Sequence, residues 1–284
     1  MTVKDIEAFS TFLEYQLGNS KYAINRKLSA LKSLFHYLQN IAETSELKPY
    51  LNRNVMAKIE LNAIQENQEV IANRISGKIL RDDEFESFRQ FIAYDFGKIH
   101  QENKRIYHFY LRNNERDTAI ISLILGSGLR LSEVSGANID DLDLNKNLIR
   151  ITRKGGKEQY VYFSNQALHD LKNYLKIRKS KYLPEKNESQ LFMASSVGRK
   201  GTSRRLTQRS IEKSVEKYAK AYGKPALNVH SLRHSFATRY HFENNDIPKL
   251  KKQLGHASVQ TTMIYTHLTD EEMKAAVNNA DLLK

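Results

Sequence analysis

Apolar residues recur at helical spacing along most of this chain, and the period turns clearly to two in one place, between residues 148 and 163. There LIRITR (148–153) and EQYVYF (158–163) alternate around KGGK, a hairpin whose turn uses glycine where φ must be positive. The expected fold is therefore mainly α with a small antiparallel sheet, to which LFMAS at 191–195 would add a short strand. Before the hairpin, residues 4–16 place Ile6, Phe9, Phe12 and Leu13 at helical spacing, and 22–39 do so with Ile24, Leu28, Leu31, Leu34, Phe35 and Leu38. A shorter helix is expected after Pro49, and the polar run from Asn62 to Gly77 reads as an interdomain linker, with a partly helical one as the alternative. DDEF at 82–85 opens a helix with acids in its first turn, 97–112 reads as an irregular insertion, and 115–127 as a buried helix. Further helices are expected near 165–180, 207–222, 230–243, 247–254 and 270–282. The organisation is a helical module at 1–65, a linker at 66–77 and a mostly helical domain at 78–284.

The charge is unevenly spread. The 284 residues carry a net +13, yet residues 1–70 hold eight charges of each sign. The stretch from Lys146 to Lys224 has 20 basic and 6 acidic residues, a net +14. A polyanion is the expected partner, because Lys and Arg contacts to phosphates release condensed counterions and so drive binding. An anionic membrane fits less well, since these charges fall on strands and loops rather than along one amphipathic helix. With no Cys, the chain has no disulfide, iron–sulfur ligand or thiol nucleophile. The start, MTVKDIEAFS, lacks the apolar run of a signal peptide, and AIISLILG is too short to span a bilayer. A cytoplasmic, nucleoid-associated protein is the expectation.

Reactive side chains concentrate in four segments: GSGLRLSEV with Arg130, TRKGGKEQY with Lys154, HSLRH with His230 and Arg233, and LGHASVQTTMIYTH with His256 and Tyr265. His230 and His234 stand four residues apart, as in half a zinc site, but the Glu of an HExxH motif and a third ligand are missing, so no metal is expected. Lys157 competes with Lys154 across the turn, and Lys154 is preferred from its motif position.

Together these segments resemble the tyrosine site-specific recombinases, the phage-integrase and Xer family, over residues 81–284. The family pattern of Arg, hairpin Lys, His-x-x-Arg, His or Trp, then Tyr falls on Arg130, Lys154, His230, Arg233, His256 and Tyr265, and Glu133 matches the acid that braces the first Arg. TRKGGK, HSLRHSFATR and THLTDEEMK look most like the Xer branch. The resemblance implies an α-helical, SAM-like core-binding module followed by a mixed α+β catalytic domain. It also implies a double-stranded DNA target, a homotetramer on two sites, and a C-terminal helix at 270–282 that packs on a neighbouring protomer. An accessory or DNA-translocating partner is left open. That module usually has at least four helices, so residues 1–65 look short of their first helix or helices.

The residue types suit phosphoryl transfer without a cofactor. Two guanidiniums, Arg130 and Arg233, can clamp the non-bridging oxygens of a phosphodiester and the charge that grows at the transition state. Tyr265 is a weak nucleophile: a phenol pKa of about 10 leaves roughly one molecule in a thousand ionised at neutral pH. Nearby cations are expected to lower that pKa, or His230 to take the proton. Lys154 fills the role of general acid to the 5′-oxygen in the family. Lys21, Arg26, Lys27, Arg153, Lys157, Arg204, Arg205 and His234 are the further candidates for DNA contact. The function implied is DNA breakage and rejoining through a 3′-phosphotyrosine and a Holliday junction, for chromosome-dimer resolution or for integration and excision of a mobile element. The alternatives are a non-catalytic or regulatory DNA-binding relative and a type IB topoisomerase.

Overall fold

A computed structural model describes residues 1–62, 67–153, 156–186, 188–195 and 204–268, and the chain divides into two units, Met1–Glu66 and Asn67–Lys284. In the first unit, α1 (Val3–Thr11) starts at Thr2, whose hydroxyl accepts from the Asp5 amide while the Asp5 carboxylate accepts from the Thr2 amide. It widens into a π turn at Phe12–Gln16 before α2 (Lys21–Asn40), which is capped by Ser20. The stripe this unit can cover is narrow. Ile6 and Leu13, two turns apart, go inside with Ile24 and Leu28, whereas Phe9, Phe12 and Leu34 stay exposed. The segment after Pro49 forms no α-helix, only a 3-10 turn at Val55–Lys58, whose Val55 and Met56 close the core beside Ile59. Asn25 of α2 exchanges two hydrogen bonds of 2.9 Å with the backbone of Asn62.

The second unit opens with α3 (Gln68–Ser76), capped by Asn67. Residues 66–77, read from their polarity as a linker, thus belong largely to a helix. Ala72 is fully buried, and Ile71 and Ile75 pack beside it, so one narrow face suffices to fix α3 to this unit. Next come α4 (Glu84–Gln90), a π turn at Phe91–Asp95, α5 (Phe96–Ile99) and the 24-residue α6 (Lys104–Ser127). The stretch expected to be an irregular insertion is for the most part the first half of α6. Asn103 caps it, and most of its first two turns face solvent, which explains their polar composition.

The chain continues through α7 (Leu131–Gly136), β1 (Leu142–Asp143), β2 (Leu148–Thr152), β3 (Glu158–Tyr162) and α8 (Asn165–Tyr182), then α9 (Gln208–Ala221), α10 (Val229–Asn244) and α11 (Ile247–Leu254). Residues 260–268 are again helical. The sheet is antiparallel in the order β1-β2-β3, with Ile149 opposite Val161 and Thr152 opposite Glu158. Its inner face buries Ile149, Ile151 and Val161. Residues 191–195 form no strand; Met193 makes a single bridge to Arg205. Lys154 at the hairpin tip and the helix expected at 270–282 lie outside the described residues.

The C-terminal half of α6 runs through the main core, with Ala119, Ile120, Ile121, Leu123 and Ile124 all buried. A charged pair sits in the same helix. Arg116 and Asp117 are buried and bonded at 2.7 Å; Tyr218 of α9 donates to the second Asp117 oxygen at 3.0 Å, and Arg116 donates to the Met193 carbonyl at 2.8 Å. Removing one partner strands a charge in a dry site, at a cost of about 3–5 kcal/mol. Asp117→Ala is therefore expected to lower the urea midpoint by an amount equivalent to about 3 kcal/mol or more. Far-ultraviolet circular dichroism across a urea series checks this.

Candidate active site

Helix α6 ends at Gly128, which has φ +70° and no room for a Cβ because the Phe236 ring lies 2.5 Å from where it would sit. The tight exit sends the chain through Leu129 into Arg130, at the start of α7. Glu133 then folds back. One of its oxygens accepts from the Arg130 backbone amide at 2.8 Å and the other from the Arg130 guanidinium at 3.0 Å. The guanidinium also donates to the carbonyl of Gly255 at 3.1 Å, yet the Arg130 side chain remains 39% exposed. It is a braced cation with an open side.

Arg233, on α10, is buried. One of its nitrogens donates to the Gly128 carbonyl, and the other to the Leu254 carbonyl at 2.8 Å and to His256 Nε2 at 3.1 Å. Arginine has donors only, so His256 Nε2 must be an acceptor. A neutral ring then carries its proton on Nδ1, 3.0 Å from the hydroxyl of Thr262. Thr262, which sequence reasoning missed, is fully buried and accepts the Nδ1 proton of the tautomer that Arg233 sets. Its only signal is its place between His256 and Tyr265 on the same segment.

Arg130, His230, Arg233 and His256 line one open cleft of about 760 Å³, together with Leu129 and Thr261. Tyr265 is joined to this group through His234, whose Nδ1 lies 2.9 Å from the phenol oxygen. The ring of Tyr265 is 1% exposed, packed among Ala72, Ala237, Leu250, Leu254, Ile264 and Leu268. His267, two residues on, meets Gln68 of α3 at 3.1 Å.

These surroundings set the state of the phenol in the DNA-free chain. Burial pushes the Tyr265 pKa up to about 12, against the opposing pull of Arg233 and Arg130. The cations do not win in this state, and the imidazole that touches the hydroxyl belongs to His234 rather than His230. The histidines are themselves held neutral. Burial, then His230, Arg233 and His256, bring His234 down to about 3; burial, then Arg233, Arg130, Arg153 and His230, bring His256 down to about 4. His230 is lowered by the surrounding protein, then by Arg233 and Arg130. Burial and the neighbouring Arg130 bring Arg233 down to about 10, still protonated at neutral pH.

Three arginines read as DNA contacts turn inward. Arg153 donates to the Gln253 carbonyl at 3.0 Å, lies 3.6 Å from Glu133 and rests against Gly255, where a Cβ would not fit. Arg204 donates to the carbonyls of Tyr182 and Leu183. Arg205 gathers the carbonyls of Ser135, Gly136 and Ala137 at the end of α7, with Asn138. Free carbonyls at helix ends attract cations as phosphates do, so composition alone does not separate the two uses. Lys21, Arg26, Lys27 and Lys157 are exposed. His234 is engaged with Tyr265. Among the described residues, no group of three His, Asp or Glu side chains could hold a metal ion, and no helix is long and apolar enough to cross a membrane.

Two clamped guanidiniums, neutral imidazoles and an adjacent phenol on a helical scaffold with a small sheet define a site for phosphoryl transfer to tyrosine. Residues 99–272 match the Phage integrase family, and the chain belongs to it: it is a tyrosine recombinase, an enzyme of site-specific DNA recombination that acts through a tyrosine. It is 38% identical to the tyrosine recombinase XerS of Streptococcus gordonii over 287 residues, covering 98% of this chain and 79% of that one. The XerS of Lactococcus lactis subsp. cremoris SK11 is 36% identical over 288 residues, with the same coverage. Among solved structures, the XerH site-specific recombinase bound to palindromic difH, a post-cleavage complex, aligns with a TM-score of 0.64 and 26% identity over 96% of this chain and 71% of that one. The XerA recombinase shares the fold, with a TM-score of 0.55 and 23% identity over 98% of this chain and 82% of that one.

The depressed histidines make stability depend on pH. Unfolded, His234 and His256 titrate near ~6.5; folded, they do so well below that. The unfolded chain thus binds more protons below pH ~6.5, and their contribution, complete above that value, is lost as pH falls toward 4. The urea midpoint of the DNA-free protein is expected to drop between pH 7 and pH 5, and His256→Gln to drop less steeply over the same interval.

Proposed function

We propose that Tyr265 is the nucleophile and that Arg130 and Arg233 hold the scissile phosphate while it reacts. The observation that carries this reading is the convergence of Arg130, His230, Arg233 and His256 on one cleft, with the Tyr265 hydroxyl tied to the residue after Arg233. In the reaction the phenol oxygen bonds to phosphorus as the bond to the 5′-oxygen breaks. The phenol gives its proton to His230, the base that the family pattern places in this cleft, and the leaving oxygen gains one from Lys154. The 3′-phosphotyrosine conserves the energy of the broken bond, so a second 5′-hydroxyl can reverse the step without ATP. Glu133 keeps Arg130 aimed, and His256 does the same for Arg233.

The residues up to Glu66 serve as the core-binding module, with Lys21, Arg26 and Lys27 exposed for phosphate contact, as Lys157 is on the hairpin. Four protomers on two duplexes exchange strands in pairs through a Holliday junction, and residues 270–282 link neighbours in trans. The similarity to single-protein Xer recombinases favours chromosome-dimer resolution at the nucleoid over mobile-element integration.

The test uses a duplex selected by this chain from a random pool and nicked beside the cleavage point, so that the adduct is trapped. Tyr265→Phe is expected to bind this duplex as the parent does and to form no covalent adduct on denaturing gels. A protein-linked strand in that variant overturns the assignment. Arg130→Ala is expected to slow adduct formation by ~10²–10³, the cost of one oxyanion donor.

Lys154→Ala is expected to cleave the ordinary duplex poorly and to recover on a 5′-bridging phosphorothioate, whose thiolate leaves without a proton. Equal defects on both substrates would instead make Lys154 a positioning residue or point to Lys157.

A further inference from the structure

His234 has no place in the catalytic pattern that the rest of the site follows, and its surroundings suit a task of their own. It follows Arg233 directly on α10, so any group it holds is fixed relative to the clamp by a rigid helix. Its Nδ1 stands 2.9 Å from the Tyr265 oxygen, and the two ring centres are 5.7 Å apart at 55°. The His230 ring meets it edge-on at 4.3 Å, which holds the imidazole plane. The phenol itself hangs from a different segment, 260–268, which is also held by apolar contacts, the Thr262–His256 bond and the His267–Gln68 bond.

We infer that His234 is a positioning residue for the nucleophile: its imidazole seats the Tyr265 hydroxyl against the helix that carries Arg233. This rests on Tyr265 being the nucleophile. Apolar packing places a ring, and a hydrogen bond with a locked imidazole directs its hydroxyl. The charged and titratable groups around the pair are His230, Arg233 and His256 on the imidazole side and Arg233 and Arg130 on the phenol side. Burial first, and then this positive charge, favour the neutral form of His234.

The experiment uses the full chain and the nicked, pool-selected duplex. Peptide mapping of the parent's adduct comes first. An adduct on a residue other than Tyr265 removes the nucleophile assignment, and this inference with it. With the adduct on Tyr265, His234→Ala is expected to slow single-turnover adduct formation by about 10–100-fold at unchanged DNA affinity. His234→Asn, whose amide lies near the position of Nδ1, should recover much of that loss. In the DNA-free chain, 3-fluorotyrosine placed at position 265 should shift its ¹⁹F resonance in His234→Ala and return toward the parent in His234→Asn. Both readouts must move together. A changed rate with an unmoved resonance, a moved resonance with an unchanged rate, or a rate lost along with thermal stability and not recovered by Asn each overturns the inference while leaving Tyr265 as the nucleophile.

Discussion

The guanidinium of Arg233 is buried, and a buried cation must find oxygen where the backbone leaves it unpaired. Helix ends are such places, and Arg233 joins two of them, at Gly128 behind α6 and at Leu254 at the end of α11. Arg130 does the same at Gly255. Helix α6 and the consecutive helices α10 and α11, about a hundred residues further on, are thereby held to one point by charge-assisted bonds. The left-handed backbone at Gly128 and Gly255 lets the chain turn away at once and leaves space for the side chains packed against both glycines. The glycines beside the catalytic pattern are thus part of the clamp.

This arrangement keeps the charge of the cleft independent of pH near neutrality. Its positive charge comes from arginines, while His230, His234 and His256 are pushed toward the neutral form by the same arginines and by the protein around them. A neutral His256 can accept from Arg233, which a protonated one could not do. The Tyr265 phenol is restrained by the same physics. In a dry pocket the phenolate is disfavoured even beside two guanidiniums, so the DNA-free protein holds Tyr265 protonated.

The order of residue types is legible in the chain itself. Two arginines, a proton donor and a nucleophile suit phosphoryl transfer, and although HSLRH or LGH alone says little, all six residues in family order announce themselves. The hairpin is equally plain, because a change of period shows in a few residues. Less is visible where polarity stands in for structure. Polar composition hides α3, which one buried Ala72 and its neighbours suffice to dock, and the solvent-facing start of α6. Residues 191–195 look like a strand because they are apolar, but they are buried without a partner ladder.

By itself, then, the sequence determined the helical class with its single hairpin, the family, and which side chains can do the chemistry, since these depend on residue type and local spacing. Tertiary structure alone decided direction. Arg153, Arg204 and Arg205 read as a basic patch, yet folding turns them onto carbonyls that lie far away in sequence. His234 read as one more cation, yet it meets a hydroxyl 31 residues away. A charge in a sequence states what a group can bind. Whether it binds the protein or a partner depends on which unpaired oxygens the fold brings within about 3 Å.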